Sequence, residues 1–425
     1  MIKRISNKAL TYLQFEEEIN SVEEGSTVYL ETGLEFDLRD VRRFLVGMNN
    51  MRSLIAIHKR DIILDGQGNK IIFHCHQPRM NDITLFQICQ EALGTEIRNL
   101  AVDFHYLGEN TSRRVICIRN NAYGAKILHC KLAMVSKSQI NFTAIQNDRK
   151  VETVFDREGD NFVVEGNDIR IRCESEQINL PTSCYGIYND LPNSMEITNN
   201  YLYLMVNGSS EKQQVTGVFN NGRFVRIVNN NIKTNGFHMD GTKMNHPRVI
   251  GVYNEGEYLL FSSNNCVAEW AGNAIGLYNQ GSYCTFNANK FIGTHAIRGT
   301  SVLNFGNDSS FTGNVVTSTS RNPRLVVNWG NRVCYMANIL RSFFYITDCQ
   351  SGCGMIFESC TDCTASDNRI SGVKNCGIFL RDSKVVLRDN YIEDQNENWV
   401  FHAMATESDM DVADALSDSK IHSIE

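Results

Sequence analysis

Proline is scarce here, five in 425 residues, and no proline-rich or glycine-rich stretch stands out as a linker, which argues against a string of small domains. No apolar run approaches the ~20 residues that a membrane-spanning helix needs, so no membrane partner is expected. Positive charge is not in excess: 41 Lys and Arg against 48 Asp and Glu leave a net charge of −7, without the basic face that nucleic acid requires. The first ten residues carry Lys3, Arg4 and Lys8 but no apolar stretch after them, so a cleavable secretory leader is not expected. Helical spacing is also missing from most of the chain. What is there instead is repetition, and enough apolar sequence, 42%, to bury a long core.

From Gly186 to Leu340 one pattern recurs: GIYND at 186, GVFNNG at 217, GVYNEG at 251, GLYNQG at 276, VLNFG at 302 and VVNWG at 326. A second asparagine follows the first ten residues later, pairing Asn189 with Asn199, Asn220 with Asn230, Asn254 with Asn264, Asn279 with Asn289, Asn304 with Asn314 and Asn328 with Asn338. The second column advances by 31, 34, 25, 25 and 24 residues and continues through Asn368 and Asn390, a solenoid period. Within each repeat, apolar residues alternate. Val225, Leu259, Cys284 and Val333 form one inward column, Ile227, Phe261, Phe286, Phe311 and Met336 a second, and Ile232, Cys266, Phe291, Val316, Leu340 and Ile370 a third. Alternation with β-branched and aromatic types is strand geometry, and one turn per repeat stacks parallel strands about 4.8 Å apart. A corner asparagine both donates and accepts, so stacked copies satisfy each other and the bent backbone. The columns are therefore structural, and function belongs to positions that break the repeat.

The repeats resemble the single-stranded right-handed parallel β-helix of the pectin-lyase-like superfamily, which includes polysaccharide lyases, glycoside hydrolases and phage tailspike-like proteins. The fold expected is all-β: an N-terminal cap at 1–25 with a short helix, a β-helix at 26–402, and an acidic tail or cap at 403–425. The cap rests on Leu10, Leu13, Ile19 and Val22 at near-helical spacing after Thr11, a candidate N-cap. GSTVYLETG at 25–33 reads as the first strand. IILDGQGNKIIF at 62–73 reads as the first clear coil, with Asp65, Gly66, Gly68 and Asn69 shaping its corner. The segment from Asp148 to Asp160 reads as a solvated loop, and Trp399 as a closing core residue.

Fourteen cysteines without a leader read as reduced core residues. Cys349, Cys353, Cys360 and Cys363 are the one tight cluster, but their spacing fits no common structural zinc site, so no metal is assigned.

Three sets of residues break the repeat. The residue after the first asparagine runs Asp190, Asn221, Glu255, Gln280, Phe305, Trp329 and, with Glu358 replacing the asparagine, Ser359. That row turns from polar to aromatic and could line a groove for a chain of sugars. The insertion Gly236–Arg248 brings His238, Asp240, Lys243, His246 and Arg248 into one loop, and Glu255 and Glu269 add carboxylates, the types that glycan cleavage uses. SRNPR at 320–324 supplies Arg321 and Arg324, which resemble part of the arginine motif of pectate lyases, although Val326 stands where that motif has a further arginine. Arg298, Arg332 and Arg341 concentrate positive charge nearby. The resemblance thus implies a protein that cleaves a polysaccharide in a surface groove. Its catalytic candidates are Asp240, Glu255, Glu269, Arg248, Arg321 and Arg324, and its substrate contacts Asp190, Gln280, Phe305, Trp329, His238, Lys243 and Arg332. The alternative is a non-catalytic glycan-binding, tailspike or adhesin-type protein. Calcium is implied only if the chain is a uronate lyase. A homotrimer and a virion location stay open.

Overall fold

The computed structural model describes residues 1–38, 51–76, 82–148, 161–174, 183–190, 194–207, 214–236, 248–320, 322–343, 352–373 and 376–393. Among the described residues strand accounts for 61% and helix for 3%, so the all-β expectation holds. No described helix is long and apolar enough to cross a membrane. The chain divides into two compact units, Met1–Arg226 and Ile227–Glu425. Each is a stack of right-handed β-helical coils with parallel strands.

In the first unit, one coil consists of strands Arg114–Asn120, Lys126–Leu128 and Lys131–Ser136. The strands of the next coil, Asn141–Asn147, Phe162–Glu165 and Asp168–Glu174, lie on them in parallel register. Ile118 faces Ile145, Ile127 faces Val164 and Met134 faces Ile171, all fully buried. Alternate residues of each strand thus fill one continuous interior, which is why a period-two pattern repeats along the chain.

The expected capping helix spans Tyr12–Asn20, with Thr11 as N-cap in a capping box with Gln14. Its buried face is Phe15 and Ile19; Leu13, expected inside, is 36% exposed because it lies off that stripe. The helix also caps the chain chemically. Asn20 donates to the Ala56 carbonyl (2.7 Å) and accepts from the His58 amide (3.0 Å), while Glu16 accepts from the Ala56 amide (2.9 Å), pairing the edge of strand Met51–Ile57. A strand that the sequence reading missed, Ile2–Ile5, precedes the helix and pairs with Thr27–Leu30. In the first coil Asp65 is structural as expected. Its carboxylate accepts from the Gln67 amide (2.9 Å), Arg98 (2.8 Å) and Asn99 (3.2 Å), bonds that outweigh the effect of burial and hold its pKa below the ordinary value.

The asparagine columns form two amide ladders in the second unit. Asn254 donates to Asn279, Asn279 to Asn304 and Asn304 to Asn328, each at 2.7 Å, and all four are fully buried. The other ladder runs from Asn230 through Asn264, Asn289, Asn314, Asn338 and Asn368 to Asn390. In the first unit, Asn120, Asn147, Asn189 and Asn220 repeat the first ladder, and Asn167 donates to Asn200 in the second.

The register corrects the sequence at three places, and at two of them, Asn199 and Glu358, the step between the two columns is eleven residues instead of ten. Asn200, not Asn199, occupies the second column; Asn199 is an exposed turn residue at φ 58°. Tyr335, not Met336, continues the column of Phe261, Phe286 and Phe311, and Met336 is 41% exposed. Phe357, not Glu358, follows Asn328. A phenyl ring cannot continue an amide ladder, and the last donor, Nδ2 of Asn328, is met by the Gly330 carbonyl at 2.8 Å, while the Tyr335 hydroxyl adds a second donor (3.2 Å) to the Oδ1 that already accepts from Asn304. The predicted ring stack is present, with centroids 6.0 Å apart for Phe261 and Phe286, 4.5 Å for Phe286 and Phe311, and 4.6 Å for Phe311 and Tyr335. Segment 149–160, the tail from 394 onward and Trp399 lie outside the described residues.

Candidate functional site

The buried asparagine fixes what stands on either side of it. Because its own side chain points inward, the residues just before and just after it project outward and meet around the corner. In the second unit the residues after it form the expected row: the amides of Gln280, Phe305 and Trp329 donate to the carbonyls of Asn254, Asn279 and Asn304 in the coil before. The residues before it, Tyr253 and Tyr278, form a second row in register. The Tyr253 hydroxyl donates to Oε1 of Glu255 at 2.7 Å, and Nε2 of Gln280 donates to the Tyr278 hydroxyl at 2.9 Å. Tyr253 and Tyr278 meet edge to face (4.6 Å), Tyr278 leans on Phe305 (5.5 Å), and Phe305 stacks on Trp329 (4.6 Å, 9°). Phe305 is 38% exposed and Trp329 half-buried, as an outward aromatic at a turn should be.

Arg248 completes this strip. It begins the strand Arg248–Asn254, and its guanidinium carbon lies 4.8 Å from the Tyr278 ring centroid and 6.0 Å from that of Tyr253. Burial, the hydrogen bond to Glu255 and that carboxylate's charge push the Tyr253 phenol up, against the opposing effect of Arg248. Tyr253 is therefore a protonated donor held against a carboxylate. The first unit repeats the arrangement: burial and Asp190 push the Tyr188 phenol up, Tyr188 stacks on Phe219 (4.7 Å), and Arg119 donates to Asp148 at 2.7 Å. Gln280 and Asp190 are both exposed.

Other candidates are placed elsewhere. Glu269 is nearly buried and engaged by Lys233 (2.7 Å) and Asn235 (3.2 Å). Arg332 makes a two-pronged pair with Asp308 (2.6 and 2.8 Å), in the same turn as Trp329, between strands Asn322–Asn328 and Cys334–Met336. Arg324 is exposed and in register with Thr300 and Cys353, its charge opposing the rise that burial gives the Cys353 thiol. Glu358, bonded to Arg381 at 2.9 Å, and not Ser359, takes the place after Trp329. Cys360 and Cys363 interact as buried neighbours, whereas Cys353 does not join them in a metal-sized group among the described residues. His238, Asp240, Lys243, His246, Arg321 and Cys349 lie outside the described residues.

Sequence reasoning missed Tyr253 and Tyr278, although the aromatic before each asparagine is written in GIYND, GVFNNG, GVYNEG and GLYNQG. It also missed a second outward pair. Trp270 stacks on His295 (4.4 Å, 7°), both at positive φ where two fifteen-residue strands, Asn265–Asn279 and Lys290–Asn304, bend. The amide of Gly236, which opens the insertion Gly236–Arg248, donates to the carbonyl of Glu269, next to Trp270.

Coils of parallel strands with amide ladders at the corners define a right-handed parallel β-helix. Among solved structures the chain is similar to the A-module of mannuronan C-5 epimerase AlgE4 of Azotobacter vinelandii, at 12% identity and TM-score 0.48 over 92% of this chain and 99% of that one. It is also similar to PfbA, a surface adhesin of Streptococcus pneumoniae (10%, TM-score 0.41, 93% and 90%), and to alginate lyase AlyF-OU02 in complex with G6 (8%, TM-score 0.34, 92% and 84%). At these identities the likeness is one of fold. No protein-family model and no curated protein matches the chain.

Proposed function

We propose that this chain is a carbohydrate-active protein that lays an acidic polysaccharide across successive coils of the second unit and cleaves it there. The observation that carries the reading is the group formed by Tyr253, Glu255 and Arg248 at one end of the Tyr278, Phe305 and Trp329 strip. The aromatics offer apolar surface to sugar rings, and Arg248 offers a cation to a uronate carboxylate. A protonated phenol 2.7 Å from a carboxylate is an acid/base pair.

These residues suit elimination better than hydrolysis. Glu255 would take the proton α to the uronate carboxylate while Arg248 stabilises the charge building on that carboxylate. Tyr253 would give its proton to the departing glycosidic oxygen, which leaves with the bonding electrons as the carbon–carbon double bond forms. Hydrolysis needs a second carboxylate about 5–9.5 Å away. The strip's next carboxylate, Glu358, lies beyond Trp329 and is held by Arg381. Calcium would require six to eight oxygen ligands, and the described residues of the strip do not offer that set, so no step is assigned to it.

Incubating the protein with uronate polymers and with neutral glucans distinguishes these chemistries. Unsaturated uronate absorbance is expected with the acidic polymers only, and Tyr253→Phe should lower the rate about 100-fold while leaving binding intact. Reducing ends released without unsaturated product would replace elimination by hydrolysis. Binding with no product from any polymer would make the chain a glycan-binding protein.

A further inference from the structure

Strands Met51–Ile57 and Asp82–Ile88 end in register at Ile57 and Ile88. The next residues are His58 and Cys89, and Glu91 follows shortly. Nδ1 of His58 is 2.7 Å from Oε1 of Glu91, and one ligand atom each of His58, Cys89 and Glu91 lie within 4.8 Å of one another, the one such group among the described residues. Backbone bonds fix their positions. The His58 amide is tied to Asn20 of the capping helix (3.0 Å), and the Cys89 amide donates to the Ile57 carbonyl (2.9 Å). Cys89 is only 8% exposed, and its sulfur has no hydrogen-bond partner among the described residues. The side chains of His58 and Glu91 are 52% and 58% exposed, so an ion has a way in.

We propose that His58, Cys89 and Glu91 form a binding site for a divalent transition ion of the zinc class, with solvent as fourth ligand, which pins the capped end of the first unit. Imidazole nitrogen, thiolate sulfur and carboxylate oxygen are the donors such an ion takes; magnesium and calcium, which prefer oxygen alone, are selected against. Bond lengths of about 2.0 Å to nitrogen and 2.3 Å to sulfur put tetrahedral ligand atoms roughly 3.3–3.8 Å apart. The ion would therefore part the His58–Glu91 pair and draw the sulfur inward by about an ångström, displacing the thiol proton to solvent. This site is separate from the aromatic strip and does not depend on the reading given to it.

The test uses the full chain stripped of metal, with Zn²⁺ in calorimetry and Co²⁺ as a spectroscopic probe. One tight equivalent is expected, with a sulfur-to-cobalt charge-transfer band, a higher melting temperature on adding Zn²⁺, and no competition from excess Mg²⁺ or Ca²⁺. His58→Gln and Glu91→Gln change exposed side chains that the fold does not need, and each should weaken Zn²⁺ binding at least tenfold. Cys89→Ser should remove the cobalt–sulfur band. Absence of a tight equivalent in the wild type, equal affinity in His58→Gln, or a band that survives Cys89→Ser and disappears in Cys360→Ser would overturn the proposal.

Discussion

Gly281→Ala should cost the second unit more than about 3 kcal/mol, enough to lose cooperative unfolding near ambient temperature. A Cβ at Gly281 would stand 1.8 Å from the Gly256 carbonyl oxygen and 2.5 Å from Nδ2 of Asn254. Neither neighbour is free to yield. The Gly256 carbonyl accepts from Asn254 at 2.8 Å, and Asn254 in turn donates to Asn279. The same clash repeats one and two coils on, where a Cβ at Gly306 or Gly330 would meet the carbonyl of Gly281 or Gly306 at 1.9 and 2.0 Å. The glycine that closes GLYNQG, VLNFG and VVNWG is thus required because consecutive corners touch backbone to backbone, not because of its φ. Gly68→Ala is the contrasting case. Its φ of 78° is strained for alanine but nothing lies within 4 Å, so a loss of only about 1–2 kcal/mol is expected. Denaturant unfolding of both variants measures the difference.

Phe286→Ala should destabilise the protein by about 3–5 kcal/mol. The ring is fully buried, parallel to Phe311 at 4.5 Å and 6.0 Å from Phe261. Strands Leu260–Ser262 and Ser310–Thr312 on either side are locked by their own ladders, so they cannot close over the hole. Phe286→Leu should recover most of the loss if packing is the cause. Thermal melts of the two variants, read against the wild type, provide the check.

The asparagine and phenylalanine columns were legible in the sequence because each satisfies itself within one period: an amide meets the amide, and a ring the ring, about 25 residues away. Register failed by one residue at Asn199 and Glu358, where coil lengths change and only the backbone pairing can say which residue turns inward, and at Met336, where the seven-residue spacing that Phe261, Phe286 and Phe311 keep from their asparagines already points to Tyr335. The row from Glu255 to Trp329 was legible for the same reason as the columns. Tyr253 and Tyr278 were visible in the repeats but not singled out, since nothing in a linear pattern says that residues flanking a buried asparagine reach each other. The Lys233–Glu269 pair and the Arg332–Asp308 pair join different coils, and their closure was not legible at all. Arg248 and Glu255, by contrast, both border Tyr253 on the strip.

The central claim is that the Tyr278, Phe305 and Trp329 strip binds a glycan, and Trp329 tests it most directly. Calorimetric titration of an oligouronate into the wild type, Trp329→Ala and Trp270→Ala compares the strip with the other outward indole, at the Trp270–His295 corner. Trp329→Ala is expected to weaken binding about tenfold, ~1.4 kcal/mol, with an unchanged melting temperature, while Trp270→Ala leaves affinity within twofold. Unchanged affinity in Trp329→Ala together with a lowered melting temperature would assign the indole to packing and contradict the account.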